Sequence, residues 1–532
     1  MTADHAAAEP GPAAVPHRWW VLAVLCISVL LVAIDNTIVN VALPTLSRTL
    51  GASTAGLQWV VTGYTLFFAG LLLVAGHLGD RFGRKLVLQI GLVLFALASL
   101  VAARSGTVDT LVAARAAMGV SAALIYPSTL ALLSTTFTDR KEKAAAVGIW
   151  SGVSGLAVGL GPVAGGLLLE HFWWGSIFTV NIPVAAIALI AGLMLVRESR
   201  DPAPGRFDAL GAVLSAGTIG LLVWNVIEAP GRGWTSPVTL GAFAGVAVLL
   251  AVFIGWELHH DDPLLELGFF RNPRFSAAAV AISMAFFGLF GFVFMITLFF
   301  QLIRGYSTLK AGLATLPFAI VMGVLSPLAI LIMRRTGTKL VVAGGLLLMS
   351  GGFTVAGLAS VNCNYWTVIV VAMVLMASGL ALSTGPATDA ILASLPPAKT
   401  GIGSAVNDTT REIGGSVGVA VTGSVLSWFY GAKLATAWDA LGVPHPVLAI
   451  GQTSVTAGLN IARQLPPGQA TPAVDALKNS FMSGLHAGSF TVAIVTALAA
   501  IGALLYLPVK DVVRVPEVGE VARSPAIPPA VS

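Results

Sequence analysis

Long apolar runs, separated by short polar stretches, fill the chain from Trp19 to Leu507. A helix needs about 20 apolar residues to cross a hydrocarbon core of about 30 Å, because each residue adds about 1.5 Å of rise. Runs of this length predict fourteen transmembrane helices, at residues 19–43, 57–78, 86–103, 107–133, 144–169, 173–196, 209–227, 238–256, 276–300, 311–333, 340–360, 365–388, 413–432 and 487–507. The pattern is typical of an all-α polytopic membrane protein.

The basic residues predict on which side of the membrane each loop lies, because cytoplasmic loops retain Lys and Arg during insertion. If the N-terminus lies inside, 20 of the 29 Lys and Arg residues fall in inner segments and 8 in outer segments, with Arg115 inside a span. We therefore expect a multi-pass membrane protein with cytoplasmic tails at residues 1–18 and 508–532.

A short internal repeat indicates how the spans are grouped. The segment Asp80-Arg-Phe-Gly-Arg-Lys-Leu-Val follows the second span, and Arg334-Arg-Thr-Gly-Thr-Lys-Leu-Val follows the tenth. A parallel duplication of six helices places two such segments in this way. The repeat predicts an N-terminal half at 19–196 and a C-terminal half at 263–507, with a linker and two extra helices at 197–262.

One long loop, residues 431–486, is expected on the extracytoplasmic side. It contains several prolines, and we expect it to form short surface helices. No function follows for it from the sequence.

The composition excludes the main soluble classes. Hydrophobic residues make up 56% of the 532 residues and charged residues only 10%, whereas soluble domains carry about 25% charged residues. The net charge is +5, but the basic residues lie singly in loops and form no face for a phosphate backbone, so no nucleic-acid partner is expected. The two cysteines, Cys26 and Cys363, are predicted in an inner half-span and an outer loop, which excludes a disulfide between them.

Three ionised side chains fall inside the predicted spans: Asp35, Asp109 and Arg115. A charge at membrane depth costs about 2.5–3.5 kcal/mol even on the lenient insertion scale, so each needs a reason. Asp109 lies near a helix end, where no role is required. Asp35 lies deep in its span beside Asn36 and Asn40, and we expect its carboxylate to face a water-filled cavity, where it takes up a proton or holds a cation. The structural alternative, a carboxylate satisfied by neighbouring helices, stays open.

Arg115 enters its span from the outer side and reaches a depth comparable to that of Asp35. An arginine near Asp35 would favour the carboxylate form, whereas apolar surroundings would favour the protonated form. A carboxylate balanced between these effects can gain and lose protons during a transport cycle, with Asn36 and Asn40 as candidates for the substrate cavity. The alternative for Arg115 is a static partner for backbone carbonyls.

The loop after the second span combines a tight turn with opposite charges. Gly76 and Gly83 flank Asp80 and Arg81, and Arg84 follows, all at the predicted cytoplasmic face. A loop that only fixes orientation requires the bases, but neither the acid nor the glycines. We therefore expect these charges to lock and release neighbouring helices as the two halves move.

The fifth predicted span is rich in glycine. Gly161, Gly165 and Gly166 allow another helix to approach closely, and Pro162 introduces a bend. The fragment around Gly161 superficially matches a dinucleotide fingerprint, but no βαβ unit surrounds it. The sequence also lacks motifs for ATP binding, zinc binding or nucleophilic catalysis. We therefore expect no cofactor and no metal, and we do not expect an enzyme.

A second group of polar residues lies around the predicted start of the thirteenth span. Asp389 ends the twelfth span, and Asp408, Arg411 and Glu412 precede the thirteenth. They form either a second proton or cation relay or a set of ion pairs at the inner surface. The sequence does not distinguish the two.

Together these motifs resemble the fourteen-spanner drug/proton antiporter branch of the major facilitator superfamily, over nearly the whole chain. The most specific match is to the first-helix motif of that branch, carried by Ala33-Ile-Asp35-Asn36-Thr-Ile-Val-Asn40-Val-Ala-Leu-Pro44. The other similarities are carried by Gly76 to Lys85, by Arg115 with Gly119, by Gly161-Pro162 with Gly165-Gly166, and by Thr400 to Gly418.

The resemblance implies a major facilitator fold of two six-helix halves plus an inserted two-helix hairpin. It also implies that Asp80 and Arg84 control the inward/outward switch, that Arg115 takes part in proton transfer, and that the fifth-helix motif belongs to antiporters rather than symporters. Two departures exist. Met118 replaces the usual Gln in the fourth-helix motif, and Trp174-Gly-Ser-Ile-Phe replaces the usual Trp-Arg-Trp pattern that opens the sixth helix.

The resemblance implies proton-coupled export of lipophilic, often cationic, drug-like molecules by alternating access, by a monomer in the lipid of a bacterial inner membrane. Coupling would run through Asp35 and Arg115. A proton-coupled exporter of one natural metabolite, lipid or self-made antibiotic would use the same machinery and stays open. A receptor or scaffold that transports nothing has no need for Asp35.

Overall fold

The computed structural model describes residues 17–200, 208–260, 263, 265–395 and 400–507. Every regular element in these ranges is helical. The α-helices are α1 (Arg18–Leu50), α2 (Thr54–Phe82), α3 (Arg84–Ala103), α4 (Val108–Thr136), α5 (Arg140–His171), α6 (Ser176–Thr179), α7 (Asn181–Leu195), α8 (Ala209–Arg232), α9 (Pro237–His259), α10 (Pro273–Leu298), α11 (Thr308–Leu313), α12 (Leu316–Thr336), α13 (Thr338–Ala356), α14 (Val370–Ala393), α15 (Thr400–Ala440), α16 (His445–Thr453), α17 (Val455–Gln464) and α18 (Pro467–Tyr506). Three short turns accompany them: a 3-10 turn at Leu267–Arg271 and π-helical turns at Phe299–Ile303 and Tyr365–Ile369.

The predicted all-α membrane class is confirmed. Thirteen stretches of described helix are long and apolar enough to cross a membrane. They coincide with thirteen of the fourteen predicted spans, and the remaining span, 144–169, is covered by α5, a helix of 32 residues. The number of long helices therefore agrees with the prediction.

Large apolar side chains cover the outside of the bundle. Leu97, Ile190 and Met194 are 56%, 59% and 80% exposed. In water such surface is unfavourable by about 25 cal/mol per Å², whereas lipid tails are as apolar as the side chains themselves. This outer surface suits a multi-pass membrane protein.

The helices before and after α8–α9 form two groups that meet along shared faces. The N-terminal group is α1–α7 and the C-terminal group is α10–α18. α2 packs against α15, and α5 packs against α11 and α12. Gln58 of α2 donates a hydrogen bond from Nε2 to the backbone oxygen of Ala420 in α15 (2.9 Å). The hairpin α8–α9 lies beside this junction, because α8 contacts both α2 and α15.

The long predicted loop is almost entirely helical. α15 continues to Ala440 and α18 begins at Pro467, and the two short helices α16 and α17 lie between them, as expected for this segment. The end of the bundle where α1 begins and α18 ends is called the termini end, and the opposite end, which carries α16 and α17, is the distal end.

Buried aromatic residues explain why α15 extends past its apolar span. Trp438 and Tyr430 have no exposed surface. Trp438 Nε1 donates to the backbone oxygen of Ala473 (3.1 Å). The hydroxyl of Tyr430 donates to the backbone oxygen of Gly451 (2.7 Å). Hydropathy alone ends the helix too early, because these contacts come from packing against α16 and α18.

Candidate functional site

The two charges predicted deep in the spans meet in the structure. Arg115 on α4 donates a hydrogen bond from Nη1 to Oδ2 of Asp35 on α1, and neither side chain has exposed surface. Arg115 Nε also donates to the backbone oxygen of Val60 (3.1 Å), and its Cζ lies 4.2 Å from the ring centroid of Tyr64. An unpaired charge at this depth is costly, so the partners make the burial of both charges possible.

A third side chain, which the sequence did not predict, also bonds to Asp35. Asn181 Nδ2 donates to Asp35 Oδ1 (2.8 Å) and to Ser99 Oγ (3.4 Å). Asn181 is the first residue of α7, separated by one residue from the end of the short helix α6, and it is 2% exposed. Both oxygens of Asp35 therefore have donors. The available signal was an amide in an apolar span, which stands out less than a charge.

The expectation that Asp35 faces a water-filled cavity is not met in this structure. Its carboxylate is buried inside the N-terminal group, whereas its neighbours Asn36 and Asn40 line the central cavity. Consecutive residues of a helix point about 100° apart, and residues four apart share a face. α1 thus presents its amides to the cavity and its carboxylate to α4 and α7. These are the contacts of the structural alternative, and a coupling role for Asp35 stays a prediction.

The central cavity lies between the two helix groups and measures about 770 Å³, including its open mouth. Its walls are mainly apolar and aromatic, and its polar groups are concentrated on α1 and α15. The lining residues are Val32, Ala33, Asn36, Thr37, Asn40, Phe68, Tyr126, Phe286, Leu289, Phe290, Val293, Asp408, Arg411 and Glu412. The side-chain oxygens of Asn36 and Asn40 have no hydrogen-bond partner in the described part of the chain.

Three of the four polar residues around the thirteenth span line this cavity. Asp408, Arg411 and Glu412 lie on α15, which begins at Thr400 rather than at 413. The earlier start makes them part of a long helix that faces the cavity, so the surface ion-pair alternative does not describe their location. Asp389, in contrast, is exposed on α14 and is not among the cavity-lining residues.

The charges of this cluster are unequally satisfied. Arg411 pairs with Asp408 at 3.5 Å, and its Cζ lies 4.5 Å from the ring centroid of Phe286. Glu412 faces the side chain of Asn36, and its Oε2 has no partner among the described residues. A carboxylate with a free oxygen, next to aromatic faces and amide oxygens, is the chemistry that binds a lipophilic cation.

The turn between α2 and α3 joins three of the predicted switch residues. Arg84 donates from Nε and Nη2 to Asp80 Oδ1, at 2.9 and 2.8 Å. Gly83 has a φ of +120°, and a Cβ at this position would lie 2.7 Å from the carboxylate carbon of Glu198. Only glycine fits this turn. A role in switching stays a prediction.

The other two switch residues take a smaller part in the turn. Gly76 lies on α2, where a Cβ would lie 4.0 Å from Pro127 of α4. Arg81 extends over the ring of Phe82, at 5.7 Å from its centroid. Neither contact restrains the turn directly.

Glu198 and Ser199, which follow α7, anchor this turn and were not predicted. The carboxylate of Glu198 accepts from the backbone nitrogens of Lys85 (2.9 Å) and Leu86 (3.2 Å), so it caps the N-terminus of α3. Ser199 Oγ accepts from Arg84 Nη1 (3.2 Å). These contacts join residues far apart in sequence, which no local pattern reveals.

The glycines of the fifth-helix motif lie against two other helices. A Cβ on Gly161 would overlap Thr37 Oγ1 of α1, and a Cβ on Gly165 would contact Ile38, the next residue of α1. On the other side of α5, a Cβ on Gly166 would lie 2.8 Å from Leu309 Cα in α11. The close approach predicted for this motif is confirmed, and larger side chains would push α5 away from α1 and α11.

Hydrogen bonds join the two helix groups towards the distal end. Glu170 Oε2 at the end of α5 accepts from the backbone nitrogen of Leu309 (3.3 Å) and from Thr308 Oγ1 (3.4 Å). Gln301 Nε2 donates to the backbone oxygen of Val41 in α1 (2.8 Å). These contacts hold the two helix groups together on the distal side of the cavity.

Comparisons with family models, curated proteins and solved structures give consistent results. A family model described as Major Facilitator Superfamily matches residues 25–419. The multidrug efflux pump LfrA of Mycolicibacterium smegmatis is 36% identical over 492 residues, which cover 92% of this chain and 96% of that protein. The tetracenomycin C resistance and export protein of Streptomyces glaucescens is 33% identical over 494 residues, which cover 92% of this chain and 91% of that protein.

A solved structure with the same fold is the inward-facing, unoccupied form of a bacterial homologue of the human lysosomal transporter Spinster. The two superpose with a TM-score of 0.60 over 93% of this chain and 99% of the other. Their sequences are 17% identical, so the likeness concerns the fold alone.

Proposed function

Because this chain belongs to the Major Facilitator Superfamily, and is therefore a membrane transporter rather than an enzyme, we propose that it exports lipophilic, often cationic compounds in exchange for protons. The export proceeds by alternating access of the central cavity to the two sides of the membrane.

The observation that carries this proposal is the lining of the cavity. Glu412 offers a carboxylate oxygen without a partner, and Asn36 and Asn40 offer two further free oxygens. Aromatic walls that include Phe68 and Tyr126 surround these acceptors. Both the acceptors and the aromatic walls stabilise a bound lipophilic cation, because its charge contacts the acceptors and its apolar surface leaves water.

Proton entry supplies the driving force. One charge that crosses about 100 mV gains about 2.3 kcal/mol, and a pH gradient adds to this. Asp35 is the proposed carrier, and its protonation leaves the buried Arg115 without its carboxylate partner. Because α1 carries Asp35 on one face and the cavity amides on the other, a movement of Asp35 relative to α4 also moves Asn36 and Asn40. Protonation is thereby linked to the shape of the substrate cavity.

Alternating access requires the two helix groups to separate at the distal end and to approach each other at the termini end. The glycine motif of α5, packed between α1 and α11, is the proposed sliding surface. The pair of Asp80 and Arg84, anchored by Glu198, is the proposed switch that releases the turn between α2 and α3.

We propose that both termini lie in the cytoplasm and that the protein works as a monomer in a bacterial inner membrane, with lipid around it. The excess of Lys and Arg in the segments assigned to the inner side supports this orientation. Reporters fused to both ends test it, and a periplasmic signal from either end would contradict it.

The alternative is export of one natural metabolite, lipid or self-made antibiotic by the same proton-coupled machinery. The resistance and export protein for tetracenomycin C, which is similar over most of its length, favours this second candidate. Drug susceptibility of cells with and without this chain distinguishes the two, because a broad exporter protects against chemically unrelated compounds and a specific one does not.

Vesicles that contain the full-length chain test the proposal. Under an imposed pH gradient they should accumulate a fluorescent lipophilic cation, and addition of that cation should release protons. A protonophore should abolish the accumulation. Accumulation that persists without a gradient would contradict proton coupling.

A further inference from the structure

Two buried carboxylates lie at the base of the hairpin α8–α9, at the termini end and outside the central cavity. Asp208 directly precedes α8 and Glu257 lies in the last turn of α9, and they are 5% and 3% exposed. Asp208 is well bonded. Its Oδ1 accepts from the backbone nitrogen of Gly211 (2.8 Å), and Trp256 Nε1 lies 3.0 Å from both of its oxygens.

Glu257 is bonded at one oxygen only. Oε2 accepts from the backbone nitrogen of Leu265 (2.9 Å), whereas Oε1 is buried and has no partner among the described residues. Gly211 shows where this oxygen points, because a Cβ at that position would overlap both Glu257 Oε1 and Asp208 Oδ2. The two oxygens face each other across the space that the missing side chain leaves.

Two facing acceptors with no donor between them are unfavourable while both carboxylates are ionised, because the charges repel and Glu257 Oε1 lacks a hydrogen bond. A single proton between them removes both effects. A metal ion fits less well, because it needs more ligands than two carboxylates supply. In the described ranges no group of three or more His, Cys, Asp or Glu side chains is arranged to hold one.

We infer that Asp208 and Glu257 form a proton-binding site, in which Glu257 carries the proton on Oε1 and donates it to Asp208 Oδ2. Among the described residues, the other titratable group that acts on Glu257 is His260, which follows α9 and stacks on Trp256 with 4.9 Å between the ring centroids. The inference does not rest on the proposed transport function.

The proton would join three parts of the chain. It holds Glu257 of α9 to Asp208 at the start of α8, while the second oxygen of Glu257 holds Leu265, which leads towards α10. Loss of the proton leaves two facing negative charges at the base of the hairpin. The connection between the hairpin and the C-terminal group then loosens.

Infrared spectroscopy of the purified full-length protein tests this site. A protonated carboxyl group gives a carbonyl band that a carboxylate lacks, so the wild type should show such a band at neutral pH that is absent from Glu257→Gln. Glutamine keeps the shape and donates an N–H to Asp208, so this variant should fold. Its melting temperature should also depend less on pH. The wild-type melting temperature should fall by several degrees as the pH rises and the site loses its proton, because stability that rests on a bound proton is lost at high pH.

Glu228→Gln is the matched control. Glu228 lies on the same hairpin but pairs with Arg232 at 3.5 Å, so its replacement should leave the carbonyl band and the pH dependence of the melting temperature unchanged. If Glu257→Gln does not accumulate, Asp208→Asn replaces it, and the band should then persist at a shifted frequency.

Four results would overturn the inference. The first is a wild-type spectrum whose carbonyl band survives in Glu257→Gln, and the second is an unshifted band in Asp208→Asn. The third is a melting temperature that Mg²⁺ or Ca²⁺ raises in the wild type but not in Glu257→Gln, since the space would then hold a metal ion. Two ionised carboxylates bridged by a water molecule would give no carbonyl band and would also contradict the site.

Discussion

Arg115 on α4 donates a hydrogen bond to Asp35 on α1, and both side chains are completely buried. Since 80 residues separate the two, the pair exists only because α1 and α4 pack together. Removal of one charge of a buried pair leaves the other uncompensated, which is strongly unfavourable. A single proton on Asp35 therefore changes the attraction between two helices of the N-terminal group.

The first prediction concerns Asn181, which donates to the other oxygen of Asp35 (2.8 Å). A hydrogen bond to a charged group contributes about 1.5–3 kcal/mol, so Asn181→Ala should reduce accumulation driven by a pH gradient by about tenfold or more. Exchange of substrate for substrate requires no release of protons and should change less. Vesicle assays measure both quantities.

Asn225→Ala is the control for this variant. Asn225 is likewise a buried amide, but its Nδ2 donates to the backbone oxygen of Thr239 within the hairpin (3.0 Å). Its proton-driven accumulation should stay close to that of the wild type. Equal losses in the two variants would mean that Asn181 is only one structural amide among others.

The second prediction concerns Glu412, the cavity carboxylate with a free oxygen. Glu412→Gln should weaken binding of a lipophilic cation by about tenfold, because a charge-assisted contact contributes about 1.5–3 kcal/mol and about 1.4 kcal/mol is tenfold in affinity. A neutral analogue of similar size should bind nearly as before. Asp389→Asn is the comparison, since Asp389 is exposed and does not line the cavity. Unchanged cation affinity in Glu412→Gln would remove Glu412 from the substrate site.

The third prediction concerns the turn at Gly83. A side chain there meets Glu198, and its backbone has a positive φ of 120°, which costs about 1–3 kcal/mol for other residues. We expect Gly83→Val to reach the membrane and to bind drug normally. The strain in the turn should lower its transport rate by about tenfold.

Gly51→Val separates the two causes of this effect. Gly51 also has a positive φ, of 68°, but a Cβ there would have nothing within 4 Å. Its transport should be affected less than that of Gly83→Val. Normal transport by Gly83→Val, or an equal loss in both variants, would contradict the role of the contact with Glu198.

The parts of the site that the sequence predicted are those in which a charge stands in an apolar run. Asp35 and Arg115 are conspicuous for this reason, and the turn at Asp80 and Arg84 is compact enough to be recognised locally. Asn181 and Glu198 were missed, because one is neutral and the other acts through contacts with a distant part of the chain.

Helix ends explain the remaining differences. A hydropathy window stops at charged residues, so the predicted thirteenth span began just after Glu412, although α15 begins at Thr400. For the same reason the predicted span 209–227 began one residue after Asp208, and the predicted span 238–256 ended one residue before Glu257. The charged residues that matter at the edges of apolar spans are thus the ones that such a prediction leaves out.

The last prediction concerns Asp35 itself. Asp35→Asn keeps the shape of the side chain and part of its hydrogen bonding, but it cannot exchange a proton and leaves Arg115 without a carboxylate. Asp35→Glu keeps the proton-exchanging group on a longer stem and should retain part of the activity. A residue that is merely structural would tolerate Asn about as well as Glu.

Proton release from vesicles that contain Asp35→Asn tests the central claim most directly. With an imposed pH gradient and a lipophilic cation as substrate, the account predicts that a well-expressed Asp35→Asn protein neither accumulates the cation nor releases protons when it is added. Wild-type accumulation and proton release by this variant would contradict the account.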